Sequence, residues 1–418
     1  MMEYGLIGEK LGHSFSKIVH SKLCDYDYEL NEISRDKFHE FMTRKDFKAI
    51  NVTIPYKQDI IPYLDVISET ASKIGAVNTV INKDGKLYGD NTDYLGLVSL
   101  IEHNKIEIKN KKVLILGSGG TSKTARVAAE NLGAKEVFRV SRSGGDGLIT
   151  YEQAYENYTD SEIIINTTPC GMYPNIGESA VDISKFPKLE AVIDAIYNPL
   201  SSALLVETQK KGIKAVGGIY MLVAQAVFAA EKFLDKTFPK TQIEEIVAEI
   251  LKEKKNIVLI GMPGCGKTTI GKELAKQLCK EFTDSDEEIV KKQGVTIPEI
   301  FAAKGEVYFR EIESEVIKEL SSRQGLVIAT GGGAVLNPQN VDLLKENGVI
   351  LFLDRDLKDI EATSDRPLSS NRGDLEKRYK ERYSIYLSSA DYRIDCTNDI
   401  NENIKTIKEV LISENFSN

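Results

Sequence analysis

Ile257-Val258-Leu259-Ile260-Gly261-Met262-Pro263-Gly264-Cys265-Gly266-Lys267-Thr268 runs from four aliphatic residues into a glycine-rich turn. The run reads as a buried strand, the glycines as a tight turn, and the residues from about Lys267 as a helix. The spacing Gly-x-x-x-x-Gly-Lys-Thr suits a nucleoside triphosphate. Backbone N–H groups and the positive helix end surround the β-phosphate, the lysine reaches β and γ oxygens, and the hydroxyl meets Mg²⁺. Gly261, Gly264, Cys265, Gly266, Lys267, Thr268 and Thr269 are therefore expected around the phosphates, with Lys267 acting in transfer and Thr268 at the metal.

The same strand–turn–helix order stands upstream, where residues 113–116 lead into Gly117-Ser118-Gly119-Gly120. Only part of the dinucleotide fingerprint is kept, because the third glycine position falls on Ser122. A Gly-rich turn without a ligand is the plain alternative. The end of the next strand sharpens the reading. Val140-Ser141-Arg142-Ser143 offers a cation and two hydroxyls where an NAD site offers an acid, and that suits the 2′-phosphate of NADP. A solvated loop arginine is the alternative for Arg142. Strands are expected at 113–116, 136–140, 163–166 and 191–194, alternating with helical stretches as in a doubly wound parallel sheet. Residues 49–54 and 75–81 are further strand candidates, and 221–234 an apolar helix packing back on the first domain. Residues 241–254 carry Ile243, Ile246, Val247, Ile250 and Leu251 at helical spacing, which predicts a helix linking two globular parts.

The chain has 418 residues, 42% hydrophobic and 28% charged, as in ordinary soluble proteins of two to four domains. A net charge of −9 argues against a general nucleic-acid binder. Cys24, Cys170, Cys265, Cys279 and Cys396 are scattered without a Cys-x-x-Cys pair, so reduced thiols and a cytoplasmic location are expected. The N-terminus has no basic, apolar leader, and no apolar run reaches the roughly 18–20 residues of a membrane span. His13, His20, His39 and His103 all lie in the first quarter, so acid–base chemistry further on falls to carboxylates, Lys, Tyr or water.

Polar residues gather in the first hundred positions where a core would exclude them. Asn51-Val52-Thr53-Ile54-Pro55-Tyr56-Lys57 places an amide, a hydroxyl and a lysine on or just after a short strand. Asn78 and Thr79 interrupt an apolar strand, and Asp90-Asn91-Thr92-Asp93 opens a helix. Lys57 reads equally as a strand-edge lysine and Asp93 as a helix cap.

His13-Ser14-Phe15-Ser16, the 51–57 stretch, Gly75-Ala76-Val77-Asn78-Thr79, Asn91-Thr92-Asp93, Asn166-Thr167-Thr168-Pro169, Asp194-Ala195-Ile196-Tyr197-Asn198-Pro199 and Met221-Leu222-Val223-Ala224-Gln225-Ala226 follow in the order of shikimate dehydrogenases. Over about 235 residues the chain resembles that family. The resemblance implies reversible NADPH-dependent reduction of 3-dehydroshikimate. It implies Ser14 and Ser16 at the substrate carboxylate, Thr53, Asn78 and Gln225 at substrate oxygens, and Lys57 with Asp93 as the catalytic pair. Tyr197 is implied near the carboxylate. Gly117, Ser118, Gly119, Gly120, Thr121, Ser141, Arg142, Thr167, Gly218 and Met221 are implied around NADP(H). Lys17 stands where the family usually has Pro, Ser118 where it has Ala, and Ser141 where Asn is common. A related group uses quinate; the paired serines favour shikimate.

Asp284-Ser285-Asp286 is read as an extended segment with both carboxylates on one side, one for the metal shell and one for a substrate hydroxyl. A helix cap plus a solvated acid is the alternative. Asp286 is the better base or positioning group. Arg310, Thr330-Gly331-Gly332-Gly333, Arg366-Pro367-Leu368 and Arg382, four residues before Tyr386, add cations suited to an anionic acceptor. Together these resemble shikimate kinase from Asn256 onward. That implies Asp284 toward Mg²⁺; Asp286, Arg310, Gly332 and Arg382 around shikimate; and Arg366 in a lid over ATP. The lid is short, lacks an upstream arginine around Glu361-Ala362-Thr363, and has Ser369 where Leu is common.

The expected class is α/β throughout. A shikimate-dehydrogenase-like domain (1–100 and 219–240) encloses a Rossmann NADP-binding domain (101–218). A helical linker (241–255) leads to a P-loop, nucleoside-monophosphate-kinase-like domain (256–418). The expected function is two consecutive steps on one small molecule, with NADP(H), ATP and Mg²⁺. The partners are 3-dehydroshikimate and shikimate rather than nucleic acid or membrane. The rival reading keeps an active dehydrogenase, on shikimate or quinate, with a non-catalytic, ligand-sensing kinase-like module.

Overall fold

Three β-sheets organise the described residues, 2–12, 15–239, 241–360 and 372–415, in a computed structural model of the chain. Two compact units result. The first is Met1–Cys170, Ser179–Tyr197 and Glu207–Val247; the second is Gly171–Glu178, Asn198–Val206 and Ala248–Asn418.

In the first unit, β1 (Tyr4–Gly8), β2 (Tyr28–Glu32), β3 (Ala49–Val52), β4 (Val66–Ile67), β5 (Thr79–Lys83) and β6 (Lys86–Asp90) form one sheet in the order β2-β1-β3-β5-β6-β4. β3 pairs parallel with β1 and antiparallel with β5, so Asn51 lies opposite Thr79. The 49–54 strand stops at Val52. The 75–81 strand begins only at Thr79, because Gly75, at φ 69°, closes helix Glu69–Ile74 in the left-handed region.

The second sheet is parallel throughout. β7 (Lys112–Leu116), β8 (Glu136–Val140), β9 (Leu148–Ile149), β10 (Ile163–Asn166), β11 (Ala191–Asp194) and β12 (Lys214–Val216) run in the order β12-β11-β10-β7-β8-β9. β10 and β11 are buried on both faces, which is why they are near-continuous aliphatic runs. Helix Ile219–Leu234 returns to the first sheet as expected. Ala229 and Phe233 pack with Leu6, Leu11, Tyr28 and Ala49, while Met221 joins the core around Leu97, Val113 and Ile165.

In the second unit, β13 (Asn256–Ile260), β14 (Glu281–Asp284), β15 (Leu326–Ala329), β16 (Gly348–Arg355) and β17 (Tyr392–Cys396) form a parallel sheet in the order β14-β15-β13-β16-β17. Helix Lys267–Leu278 follows the glycine turn after β13. Helix Ile297–Ser321 is broken at Gly305, whose φ of 78° and ψ of 177° are not helical. The expected helix over 241–254 is present as Thr241–Lys254. Among the described residues no helix is long and apolar enough to cross a membrane.

Candidate active sites

The first cleft, of about 320 Å³, opens where β3 ends and helices Thr92–His103 and Ile219–Leu234 begin. Its lining includes Ser16, Thr53, Lys57, Asn78, Asp93, Thr121, Tyr197, Gly218, Met221 and Gln225. Lys57 Nζ donates to Asp93 Oδ2 at 2.6 Å, and both side chains are largely buried. Asp93 does not cap its helix. Asn91 does, its side chain accepting from Tyr94 N at 3.1 Å, which leaves the Asp93 carboxylate to the lysine. Asn78 is braced by Thr92, whose backbone N–H donates to its Oδ1 at 2.7 Å. Its amide nitrogen remains for the cleft. Gln225 Nε2 donates to Leu222 O at 2.8 Å. Burial raises the Tyr197 phenol above its ordinary range, keeping it a neutral donor. Ser14 lies outside the described residues.

Gly117, Ser141 and Thr167 follow the carboxyl ends of β7, β8 and β10, three neighbouring strands. That edge, where the order reverses about β7, is where a dinucleotide binds on such a sheet. Gly117 has φ 119°, and a Cβ there would meet Thr167 Oγ1 at 2.5 Å. The Thr167 hydroxyl itself donates to Leu116 O at 2.6 Å and fixes this turn. Gly119 and Gly120 face open space, and helix Gly120–Asn131 begins without a side-chain cap. A pyrophosphate fits that cradle. Ser141 Oγ accepts from Gly144 N at 3.0 Å, closing the loop that carries the exposed Arg142.

The second cleft, of about 370 Å³, is lined by Gly264, Gly266, Lys267, Thr268 and Thr269 on one side and by Asp284, Asp286, Arg310, Gly332 and Arg382 on the other. Gly261 and Cys265 are buried rather than among its lining. Lys267 Nζ donates to Gly261 O and Met262 O, each at 2.9 Å, which curls the loop around its own ammonium. Thr268 Oγ1 donates to Asp284 Oδ2 at 2.8 Å. A hydroxyl and a carboxylate so joined fit Mg²⁺, which takes few protein ligands and completes its shell with phosphate and water.

The extended reading of Asp284-Ser285-Asp286 is corrected. Asp284 ends β14 and caps helix Ser285–Gln293, its Oδ1 accepting from Asp286 N at 3.0 Å. The cap turns the chain within one residue and sets Asp286 in the first helical turn, where it still faces the cleft. Asp286 Oδ1 is sealed from solvent with no hydrogen-bond partner among the described residues, as is Glu313 Oε1. Burial first, then the Asp284 and Glu313 charges, push the Asp286 carboxyl up to about 6 against Lys267 and Arg310. Unmet acceptors in a buried cleft fit a ligand that brings hydroxyl donors. Arg310 donates to Glu313 at 2.7 Å and to Glu306 at 3.0 Å. A Cβ on Gly333 would collide with Arg310 Nη1, so the bare backbone admits that guanidinium. Arg382 and Tyr386 both donate to Gly332 O. Arg366 lies outside the described residues.

Three charged cleft residues had no assigned role from sequence. Glu313 stands three residues after Arg310, and Arg378 four before Arg382, spacings that place each pair on one helix face. Arg378 Nε is buried and has no hydrogen-bond partner among the described residues. Lys10 lines the first cleft; nothing in its sequence neighbourhood distinguishes it from a surface lysine.

Residues 6–80 match the family model of the shikimate dehydrogenase substrate binding domain. A shikimate dehydrogenase (NADP(+)) of Clostridium perfringens is 37% identical over 274 residues, 60% of this chain and 98% of the relative. The chain belongs to the shikimate dehydrogenase family. Another shikimate dehydrogenase (NADP(+)), from Clostridium beijerinckii, is 40% identical over 244 residues, 54% of this chain and 90% of the relative. Among solved structures, a chorismate mutase/shikimate 5-dehydrogenase fusion protein from Clostridium acetobutylicum superposes with a TM-score of 0.57 at 36% identity, covering 60% of this chain and 98% of that one. The shikimate 5-dehydrogenase of Thermus thermophilus, solved with NADP(H) and shikimate, gives 0.53 at 27% identity, covering 60% and 99%. Beyond the dehydrogenase family region, residues 263–412 match the family model of shikimate kinase.

Proposed function

We propose that the chain performs two consecutive reactions on one carbocyclic acid: NADPH-dependent reduction of 3-dehydroshikimate to shikimate, and MgATP-dependent phosphorylation of shikimate to shikimate 3-phosphate. Bound NADPH supplies the hydride of the first step. As the substrate carbonyl oxygen gains negative charge, Lys57 Nζ stabilises it and delivers a proton, and Asp93 holds the ammonium in line. Thr53, Asn78 and Gln225 orient the ring hydroxyls, Ser14, Ser16 and Tyr197 its carboxylate. Gly117–Thr121, Ser141, Arg142, Thr167, Gly218 and Met221 hold the dinucleotide.

Bound MgATP supplies the phosphoryl group of the second step. Asp286 accepts the hydrogen bond and then the proton of the attacking hydroxyl. Arg310, Gly332 and Arg382 hold the acceptor, with Glu313 aligning Arg310. Lys267 meets the phosphate oxygens, Thr268 and Asp284 hold the metal, and Arg366 closes over the nucleotide. The observation that carries this reading over a sensing module is the assembly of Lys267, Thr268, Asp284 and Asp286 in one cleft, including a buried carboxylate poised near neutrality. Five cysteines outside any disulfide among the described residues, and the dependence on NADPH and ATP, fit a cytoplasmic enzyme.

A coupled assay tests the whole reading. Full chain given 3-dehydroshikimate, NADPH and MgATP consumes NADPH and then releases ADP in a shikimate-dependent manner. NADPH loss without that ADP would reject the second activity. Arg142→Ala raises the KM for NADPH by about 10- to 100-fold, because a charge-assisted phosphate contact is lost, and leaves the KM for NADH unchanged. Equal loss with both coenzymes would remove Arg142 from 2′-phosphate recognition.

A further inference from the structure

The first cleft receives an anion, yet its lining is nearly neutral. Among its described lining residues the charged side chains are Lys10, Lys57 and Asp93. Lys57 and Asp93 cancel at 2.6 Å, and in the proposed reaction Lys57 serves the reacting oxygen rather than the carboxylate. Lys10 has no ion-pair partner among the described residues, so one positive charge remains uncompensated. A carboxylate entering a site of hydroxyls and amides loses hydration that neutral donors replace only in part, and a cation at that site supplies the rest.

The backbone around Lys10 is set rather than loose. Glu9 N donates to Ile54 O at 3.3 Å, Leu11 N donates to Glu32 Oε1 at 2.8 Å, and Ile33 N donates to Gly8 O at 2.8 Å. Leu11 is buried in the core with Leu6, Tyr28 and Phe233. The Lys10 stem thus starts from a fixed point two residues beyond β1 and on the cleft wall, while its head stays hydrated until a ligand arrives.

We propose that Lys10 is a specificity-determining residue of the reductase site, whose ammonium pairs with the carboxylate of 3-dehydroshikimate alongside the neutral donors. This rests on the reductase reaction proposed above. The pairing acts on binding and leaves the hydride step alone.

The test compares 3-dehydroshikimate with its methyl ester, using full chain and saturating NADPH. Lys10→Met raises the KM for the acid by about 10-fold at low ionic strength with kcat within twofold, a loss in the range of a hydrogen bond to a charged group. It leaves the KM for the ester where the wild type has it. Lys10→Arg restores most of the acid KM. In the wild type, added salt raises the acid KM, and in Lys10→Met this slope flattens. Phosphorylation of supplied shikimate by the same preparation reports that the variant chain is folded. Equal KM changes for acid and ester, no change for either, or an effect confined to the KM for NADPH would overturn the role of Lys10 while the wild type still reduces the acid. Wild-type chain that reduces neither compound would overturn the reaction itself, and the Lys10 proposal with it.

Discussion

Lys57→Met lowers the turnover of 3-dehydroshikimate by about 1,000-fold or more while phosphorylation of supplied shikimate continues at the wild-type rate. The size follows from two losses at once. In the proposed reaction the ammonium is the proton source for the forming hydroxyl, worth about 100- to 10,000-fold, and a positive charge beside the developing oxyanion. Methionine keeps the length and the packing of the stem, so the change removes charge and proton without opening a cavity. It also strands the Asp93 carboxylate, which has only 15% of its side-chain surface exposed, so a modest loss of stability accompanies the loss of rate. Steady-state NADPH oxidation and ADP release, read separately on one preparation, check both halves. If both reactions fall in folded protein, the chain does not hold two independent sites. If reduction survives within tenfold, another group delivers the proton.

Asp286→Asn abolishes phosphorylation, by about 100-fold or more, and at the same time stabilises the second unit. The amide neither accepts the hydroxyl proton nor carries the charge that aligns it. In the wild type, kcat/KM for phosphorylation falls tenfold per pH unit below about 6, where Asp286 becomes protonated. Stability runs the opposite way. This carboxyl titrates higher folded than unfolded, so its contribution is intact below its ordinary value near 3.8 and is lost as pH rises through about 6. Removing the charge returns on the order of 1–3 kcal/mol at pH 8 and about a third of that at pH 4.5. Urea midpoints at the two pH values check it: a gain at pH 8 that exceeds the gain at pH 4.5 is the expected result, and equal gains would refute the buried-charge account. Activity is thus held at the expense of stability in this cleft.

Much of the architecture could be read from local composition. The strands Glu136–Val140, Ile163–Asn166 and Ala191–Asp194 keep the expected bounds; the latter two are aliphatic up to Asn166 and Asp194 because a strand covered on both faces has little use for polar residues. Helix Thr241–Lys254 was legible from its apolar spacing. Errors arose where a single residue decides the backbone. Asp284 accepts the Asp286 N–H and starts a helix where alternation predicts extension. Gly75 closes a helix where an apolar run predicts a strand.

The sites divide in the same way. The structure brings Lys57 and Asp93 together from positions 36 apart, and Thr268 and Asp284 from positions 16 apart, and motif order was enough to pair them. Lys10, Arg378 and Glu313 were not singled out as cleft residues because lysine, arginine and glutamate are common on surfaces. What singles them out is a cleft wall, a buried nitrogen or an unmet oxygen, each made by distant parts of the chain.

Because Asn91 rather than Asp93 closes helix Thr92–His103, adjoining residues divide architecture from reactivity. Asn91 caps the start of the helix, whereas Asp93 can be neutralised without disturbing that cap. The chain therefore offers a natural place for an inert mimic. Asp93→Asn is the substitution with which to trap the keto acid and reduced coenzyme side by side for crystallography, in protein whose shape is that of the working enzyme.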